Sequence, residues 1–262
     1  MPARLEPRPV PSGPIDFAAA DLPEYEECFA VVIDSQFPKP ELSAILAEAE
    51  SFSPWHIAQV NVGTEAYTNT AYRNGQRIIY DSLALSEQIF AKIRPHLSAI
   101  EEIEEPTYVR GVGVASQKWR MVRMNERLRF LRYPKGGFFR AHTDGEYSDE
   151  KTGQQTFYTV QLYLPSDSSG SPESFLSAGG GSTRFWDEED GKYYADVEAL
   201  PGRVLVFQHA DLLHTGEEVT AGVKCALRSD ILYEKVGDPV PVPADHPIQS
   251  MVEDEMLPPW SE

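Results

Sequence analysis

Imidazole and carboxylate groups carry the chemistry of this sequence, and their spacing sorts them. Histidine stands at positions 56, 96, 142, 209, 214 and 246. In a chain with 41 Asp plus Glu, a His-x-Asp/Glu triplet arises by chance about once, so the triplet alone decides little. It occurs twice, as His142-Thr143-Asp144 and as His209-Ala210-Asp211. On an extended chain residues i and i+2 share a face, so His142 and Asp144 can converge on one ion. His214 follows far downstream, at the end of the apolar run Val204-Leu205-Val206-Phe207, and Lys224 comes ten residues after it. His209 has only His246 behind it, in a proline-rich tail with no later Lys or Arg, so His209-x-Asp211 reads as a decoy. Two imidazoles and one carboxylate leave metal positions open, the donor set of non-haem Fe(II) centres. A cation beyond the last ligand can hold the remote carboxylate of 2-oxoglutarate through a charge-assisted bond.

These residues need elements to position them. Cys28 to Asp34 is a short β-branched apolar run, read as a buried strand. After Pro38 and Pro40, Leu42, Ile45, Leu46 and Ala49 fall on one helical face. A second helix is expected near 82–97, with Leu85, Ile89, Ile93 and Leu97 at i+4 steps and Ser82 as its N-cap. Between them, Tyr72 to Arg77 reads as a loop or hairpin around Asn74-Gly75. From about 119 the pattern turns to strands: Leu128–Tyr133, Thr156–Leu164, Gly181–Trp186, Arg203–Gln208 and Val223–Tyr233. Short strands without intervening helices predict a sandwich or barrel. The expected organisation is a flexible arm over 1–24, one domain over 25–236 with helical support at 38–105, and a Pro- and acid-rich tail over 237–262. Trp119, Trp186 and the pair Phe138-Phe139 read as core.

Composition narrows the partners. The 262 residues carry 23 Lys plus Arg against 41 Asp plus Glu, a net charge of −18. That balance argues against nucleic acid and against anionic membrane surfaces. No stretch approaches the ~18 apolar residues of a membrane-spanning helix. The basic residues near the start have no apolar run behind them, so no secretory leader is expected. The two cysteines, Cys28 and Cys225, are expected free, which suits a reducing compartment and a cytoplasmic or nuclear location.

Three stretches carry a specific resemblance. Asn125 to Asp144 (Asn-Glu-Arg-Leu-Arg-Phe-Leu-Arg-Tyr-Pro-Lys-Gly-Gly-Phe-Phe-Arg-Ala-His-Thr-Asp), Gly180-Gly181-Ser182-Thr183-Arg184-Phe185, and Pro201 to Tyr233 with His214, Lys224 and Arg228 resemble the prolyl 4-hydroxylase-like group of Fe(II)/2-oxoglutarate dioxygenases. The match covers about 119–234, and more faintly 29–110. It implies a mainly β fold with flanking helices around a double-stranded β-helix, or jelly roll. It implies His142, Asp144 and His214 as iron ligands and Lys224 as the partner of the 2-oxoglutarate C5 carboxylate. Tyr133 and Tyr163 match tyrosines of the 2-oxoglutarate pocket. Arg228 shares a strand face with Lys224 by parity, and is placed either at the C1 carboxylate or substrate, or in an ion pair with Asp230 or another acid.

The same resemblance implies O₂ as co-substrate, ascorbate as a supporting reductant, and products succinate and CO₂. Asp144 stands where halogenating relatives carry a small residue, which favours hydroxylation. Arg73 and Arg77 lie where related hydroxylases have a substrate-covering segment. Site arginines in an acidic chain suit a substrate carboxylate, so a small molecule such as an amino acid or natural-product intermediate is the leading substrate class. A prolyl or other residue of a cytosolic protein is the alternative substrate, and a non-catalytic metal-retaining jelly-roll module the alternative function.

Overall fold

The computed structural model describes residues 10–62, 65–109, 113–187 and 191–243. Two antiparallel sheets face one another. Their strands are β1 (Ala30–Ile33), β2 (Arg73–Asn74), β3 (Gln76–Asp81), β4 (Glu102–Val109), β5 (Gly113–Met124), β6 (Arg127–Pro134), β7 (Phe138–His142), β8 (Gln155–Leu164), β9 (Thr183–Trp186), β10 (Tyr194–Val197), β11 (Val204–Gln208), β12 (His214–Gly216) and β13 (Val223–Pro241). The larger sheet runs β1-β11-β8-β13-β6-β3, with short edge strands at Gly13–Pro14 and His56–Ile57. The far half of β13 pairs with β5, which pairs with β4. The smaller sheet runs β10-β9-β12-β7-β2. This is the jelly-roll architecture with flanking helices.

Period-2 alternation in three adjacent central strands sorts the larger sheet into an outer and an inner face. Leu128 and Phe130 of β6, Val160, Leu162 and Leu164 of β8, and Cys225 and Leu227 of β13 pack outward. They meet the apolar faces of α1 (Lys39–Phe52) and α2 (Leu83–Ile93), through Leu42, Ile45, Leu46, Ala49, Leu85, Ile89 and Ile93. Ser82 caps α2 by accepting from the Leu85 amide. The alternate residues Leu131, Tyr133, Gln161, Lys224, Ala226 and Arg228 line the inner cavity. Strand register puts Tyr133 opposite Lys224 and Gln161 opposite Arg228.

The structure departs from the sequence pattern in five places. Residues 10–24, expected as part of a loose arm, are docked: Val10, Ile15, Phe17 and Leu22 are buried. Residues 1–9 lie outside the described residues, as does the tail from 244. Gly237 to Pro241, expected in that tail, continue β13 against β5. The span 38–105, expected as helical support, also contains strands β2, β3 and the first half of β4. Arg73 to Arg77 form no hairpin, because β2 joins the smaller sheet and β3 the larger. The chain crosses between sheets at Gly75, where a Cβ would lie 2.5 Å from Tyr133 Cε1. His214 sits on its own strand, β12, rather than at the end of β11.

The docked N-terminal segment backs the smaller sheet. The Phe17 ring meets Phe185 of β9 edge-on at 5.4 Å and Tyr25 at 5.6 Å. Phe17→Ala should therefore cost ~3–5 kcal/mol of stability in urea unfolding, the range for emptying a buried aromatic site. A change within about 0.5 kcal/mol, typical of surface positions, would mean that the segment is not part of the folded core.

Candidate metal centre

Antiparallel pairing of β7 with β12 sets His142 directly opposite His214. Their rings lie 4.3 Å apart between centroids. Each is oriented from its far side: His142 Nδ1 donates to Arg140 O at 2.7 Å and His214 Nδ1 to Leu212 O at 2.9 Å. A carbonyl only accepts, so both Nε2 atoms keep their lone pairs. Asp144, two residues beyond His142, turns into the same space. Its Oδ1 lies 3.7 Å from His142 Nε2 and its Oδ2 3.9 Å from His214 Nε2. One donor atom from each of the three falls within 4.8 Å of the others. Two neutral imidazoles with free Nε2 and an ionised carboxylate fit Fe(II).

The protonation states suit ligation. Burial, aided by His214, pushes His142 down to about 3. Burial likewise lowers His214. Burial alone would raise Asp144, but Arg228 and then the two histidines outweigh it and hold its carboxyl well below the ordinary range. Arg228 Nη2 lies 3.0 Å from Asp144 Oδ1, and Thr159 Oγ1 donates to Oδ2 at 2.6 Å.

Opposite the donors, the cavity is cationic. It is lined by Lys224, Tyr133, Arg73 and Arg228 together with the three donors. Lys224 is buried, and among the described residues it has no hydrogen bond or ion pair. Burial pushes its ammonium down to about 8, although Glu217 opposes the shift. The rings of Tyr133 and Tyr163 flank it at 5.8 and 5.6 Å. Tyr163 stands behind the wall rather than in it, its hydroxyl donating to Thr183 Oγ1 at 2.8 Å. Of the two arginines near Gly75, only Arg73 reaches the cavity. It is buried, its Nε donates to Tyr133 Oη at 3.2 Å, and its guanidinium lies over the Phe139 ring at 4.4 Å. Arg77 faces a separate cleft with His56 and Ile57, and donates to Gln59 Oε1 at 2.7 Å.

The expected decoy stays apart from the three donors. His209 is buried with its Nε2 3.6 Å from Asp230 Oδ1. Three contributors escape sequence reasoning. Phe139 stacks on His142 at 3.7 Å between centroids, although the Phe138-Phe139 pair reads as core. Thr159 and Gln161 enter through the parity of β8, a signal that becomes readable only once the register against β13 is known. Gln161 Nε2 donates to Thr183 Oγ1 at 2.8 Å, tying the two sheets together beside the cavity.

The family model of the 2OG-Fe(II) oxygenase superfamily matches residues 128–229, from β6 into β13. No curated protein matches the chain. Among solved structures, it is similar to a Pseudomonas putida prolyl-4-hydroxylase, at 17% identity over 83% of this chain and 98% of that one, with a TM-score of 0.48. It is also similar to the viral collagen prolyl hydroxylase of Paramecium Bursaria Chlorella virus-1 (16% identity, 78% and 95% covered, TM-score 0.47). A third is a prolyl hydroxylase from Trichoplax adhaerens (11% identity, 77% and 82% covered, TM-score 0.49). The stretch that matches the 2OG-Fe(II) oxygenase superfamily contains every donor of the His142, Asp144 and His214 cluster, and that match supports a dioxygenase that uses Fe(II), 2-oxoglutarate and O₂.

Proposed function

We propose that this oxygenase hydroxylates an unactivated C–H bond of a small, carboxylate-bearing molecule. His142, Asp144 and His214 hold the iron, and Lys224 receives the C5 carboxylate of 2-oxoglutarate. The observation that carries this reading is the unpaired, buried ammonium of Lys224, in one cavity with three converging metal donors. An ammonium held out of water without an anion is costly, and a dicarboxylate co-substrate supplies that anion. Iron and 2-oxoglutarate supply the oxidising chemistry, yielding succinate and CO₂. The chain's own residues bind and orient. The carbonyls of Arg140 and Leu212 fix the two imidazoles, Thr159 and Arg228 fix Asp144, and Tyr133 walls the co-substrate. Arg73 supports a carboxylate on the substrate, because its guanidinium lines this cavity and has no carboxylate partner among the described residues.

Replacing any of His142, Asp144 or His214 by Ala should abolish succinate formation while the fold survives, as judged by circular dichroism. His209→Ala should still bind the metal and turn over, with a lowered melting temperature from its lost place beside Asp230. An inactive His209→Ala beside an active His142→Ala would reverse the assignment.

Lys224→Ala should raise the 2-oxoglutarate KM by about 10- to 100-fold, since a charge-assisted bond of ~1.5–3 kcal/mol is lost. The pH dependence has a definite sign. Only the ammonium form attracts the carboxylate, and that form is lost as pH rises through about 8. The wild-type kcat/KM for 2-oxoglutarate should therefore fall above pH ~8. Lys224→Arg, whatever its absolute rate, should not show that fall, because guanidinium stays protonated. A flat wild-type profile together with an unchanged KM in Lys224→Ala would remove Lys224 from the co-substrate site.

Arg73→Ala tests the substrate side through the ratio of hydroxylated product to succinate. That ratio should drop at least tenfold, with uncoupled succinate production retained. Equal loss of both would mark Arg73 as a support for Tyr133, and no loss of either would remove the argument for a substrate carboxylate.

A further inference from the structure

Asp144 is gripped on both oxygens by protein donors, and the stronger grip belongs to a longer string. Thr159 Oγ1 donates to Oδ2 at 2.6 Å, and Arg228 Nη2 approaches Oδ1 at 3.0 Å. Arg228 is itself held: the same Nη2 lies 3.5 Å from Asp230 Oδ1, and the other Asp230 oxygen accepts from Arg129 Nη1 at 2.9 Å. Charge alternates along the string, Asp144, Arg228, Asp230, Arg129. Strand geometry builds it. Arg228 and Asp230 are i and i+2 on β13, Arg129 faces Arg228 across the β6 ladder, and Thr159 faces Asp230 across the β8 ladder. Asp144 and Asp230 are almost fully buried. In such surroundings an alternating string is favourable only while every member is present, and removing one leaves a buried charge uncompensated.

We propose that Arg228 is a positioning residue for the metal, fixing the rotation of the Asp144 carboxylate so that it meets the ion in one orientation, and that Asp230 acts on the metal through Arg228. The inference rests on the assignment of His142, Asp144 and His214 as ligands. It takes Arg228 away from the 2-oxoglutarate C1 carboxylate, the other role its strand face allows.

The test uses the full apo chain titrated with Co(II), without 2-oxoglutarate, by calorimetry and by the visible d–d spectrum. Relative to wild type, Arg228→Met should bind Co(II) about 10- to 100-fold more weakly, the usual cost of removing a partner of a metal ligand, and with an altered d–d envelope. Arg228→Lys should restore part of both, since it keeps the charge but not the planar fork. Asp230→Asn should weaken binding in the wild-type background and add nothing in the Arg228→Met background. Co(II) affinity and spectrum unchanged in Arg228→Met, with 2-oxoglutarate binding to the Co(II) form weakened, would overturn the proposal and assign Arg228 to the co-substrate. If Arg228→Met does not fold, Arg228→Lys and Asp230→Asn decide, and wild-type affinity and spectrum in both would overturn it. A wild-type affinity in His142→Ala would instead fail the ligand assignment beneath it.

Discussion

Cross-strand registry between β7 and β12 is the constraint on which the site depends. Setting His142 opposite His214 brings two imidazoles from distant parts of the chain to 4.3 Å between ring centroids, and the following turn delivers Asp144 to the same point. A one-residue slip in either strand would send one imidazole to the opposite face of the sheet. Phe185 and Phe207 pack around His214 at 6.1 and 4.8 Å, and the docked N-terminal segment packs on Phe185 through Phe17. Residues far from the donors in sequence thus serve the donors through one aromatic cluster.

The larger sheet contributes charge rather than ligands. Its inner face presents Lys224 and Arg228 on one strand, four residues apart, and the two cations are used differently because their neighbours differ. Arg228 is neutralised by Asp144 and Asp230, so it is part of the wall. Lys224 is flanked by the rings of Tyr133 and Tyr163 and makes no ion pair among the described residues, so its charge is open to an incoming anion. Arg73 adds a third cation from the smaller sheet. Among its lining residues the cavity holds a single acidic side chain, Asp144, against these three cations, an excess of positive charge that suits anionic ligands.

What was legible in the sequence follows from which interactions are local. The His142-x-Asp144 spacing is readable because strand parity is local, and the same parity puts Lys224 and Arg228 on one face. The partners of Arg228 are not readable, because they depend on which strands flank β13. Capping and periodicity reveal α1 and α2, whose stability comes from one apolar face each. The N-terminal segment has no period to detect: Phe17, Leu22 and Tyr25 are buried by tertiary packing, from short 3₁₀ turns that carry no amphipathic signature. The Asn74-Gly75 step looks like a hairpin because that dipeptide favours tight turns. Here glycine serves a different need, the close approach of the Tyr133 ring to the backbone.

That close approach has a consequence for how the site is assembled. Gly75 separates Arg73 on the smaller sheet from Gln76 on the larger, and Tyr133, whose ring fills the space above Gly75, accepts the Arg73 Nε bond at its hydroxyl. Tyr133 thus ties the two sheets together on one side of the cavity, as the Gln161–Thr183 bond does beside Tyr163. The two sheets approach through paired polar contacts at these points rather than through apolar packing alone. Directional bonds fix distance and rotation more tightly than non-directional burial does. The candidate metal donors lie on or beside one sheet and Lys224 on the other, so these bonds set the distance between them, and a functional site demands that such distances hold to about 0.5 Å.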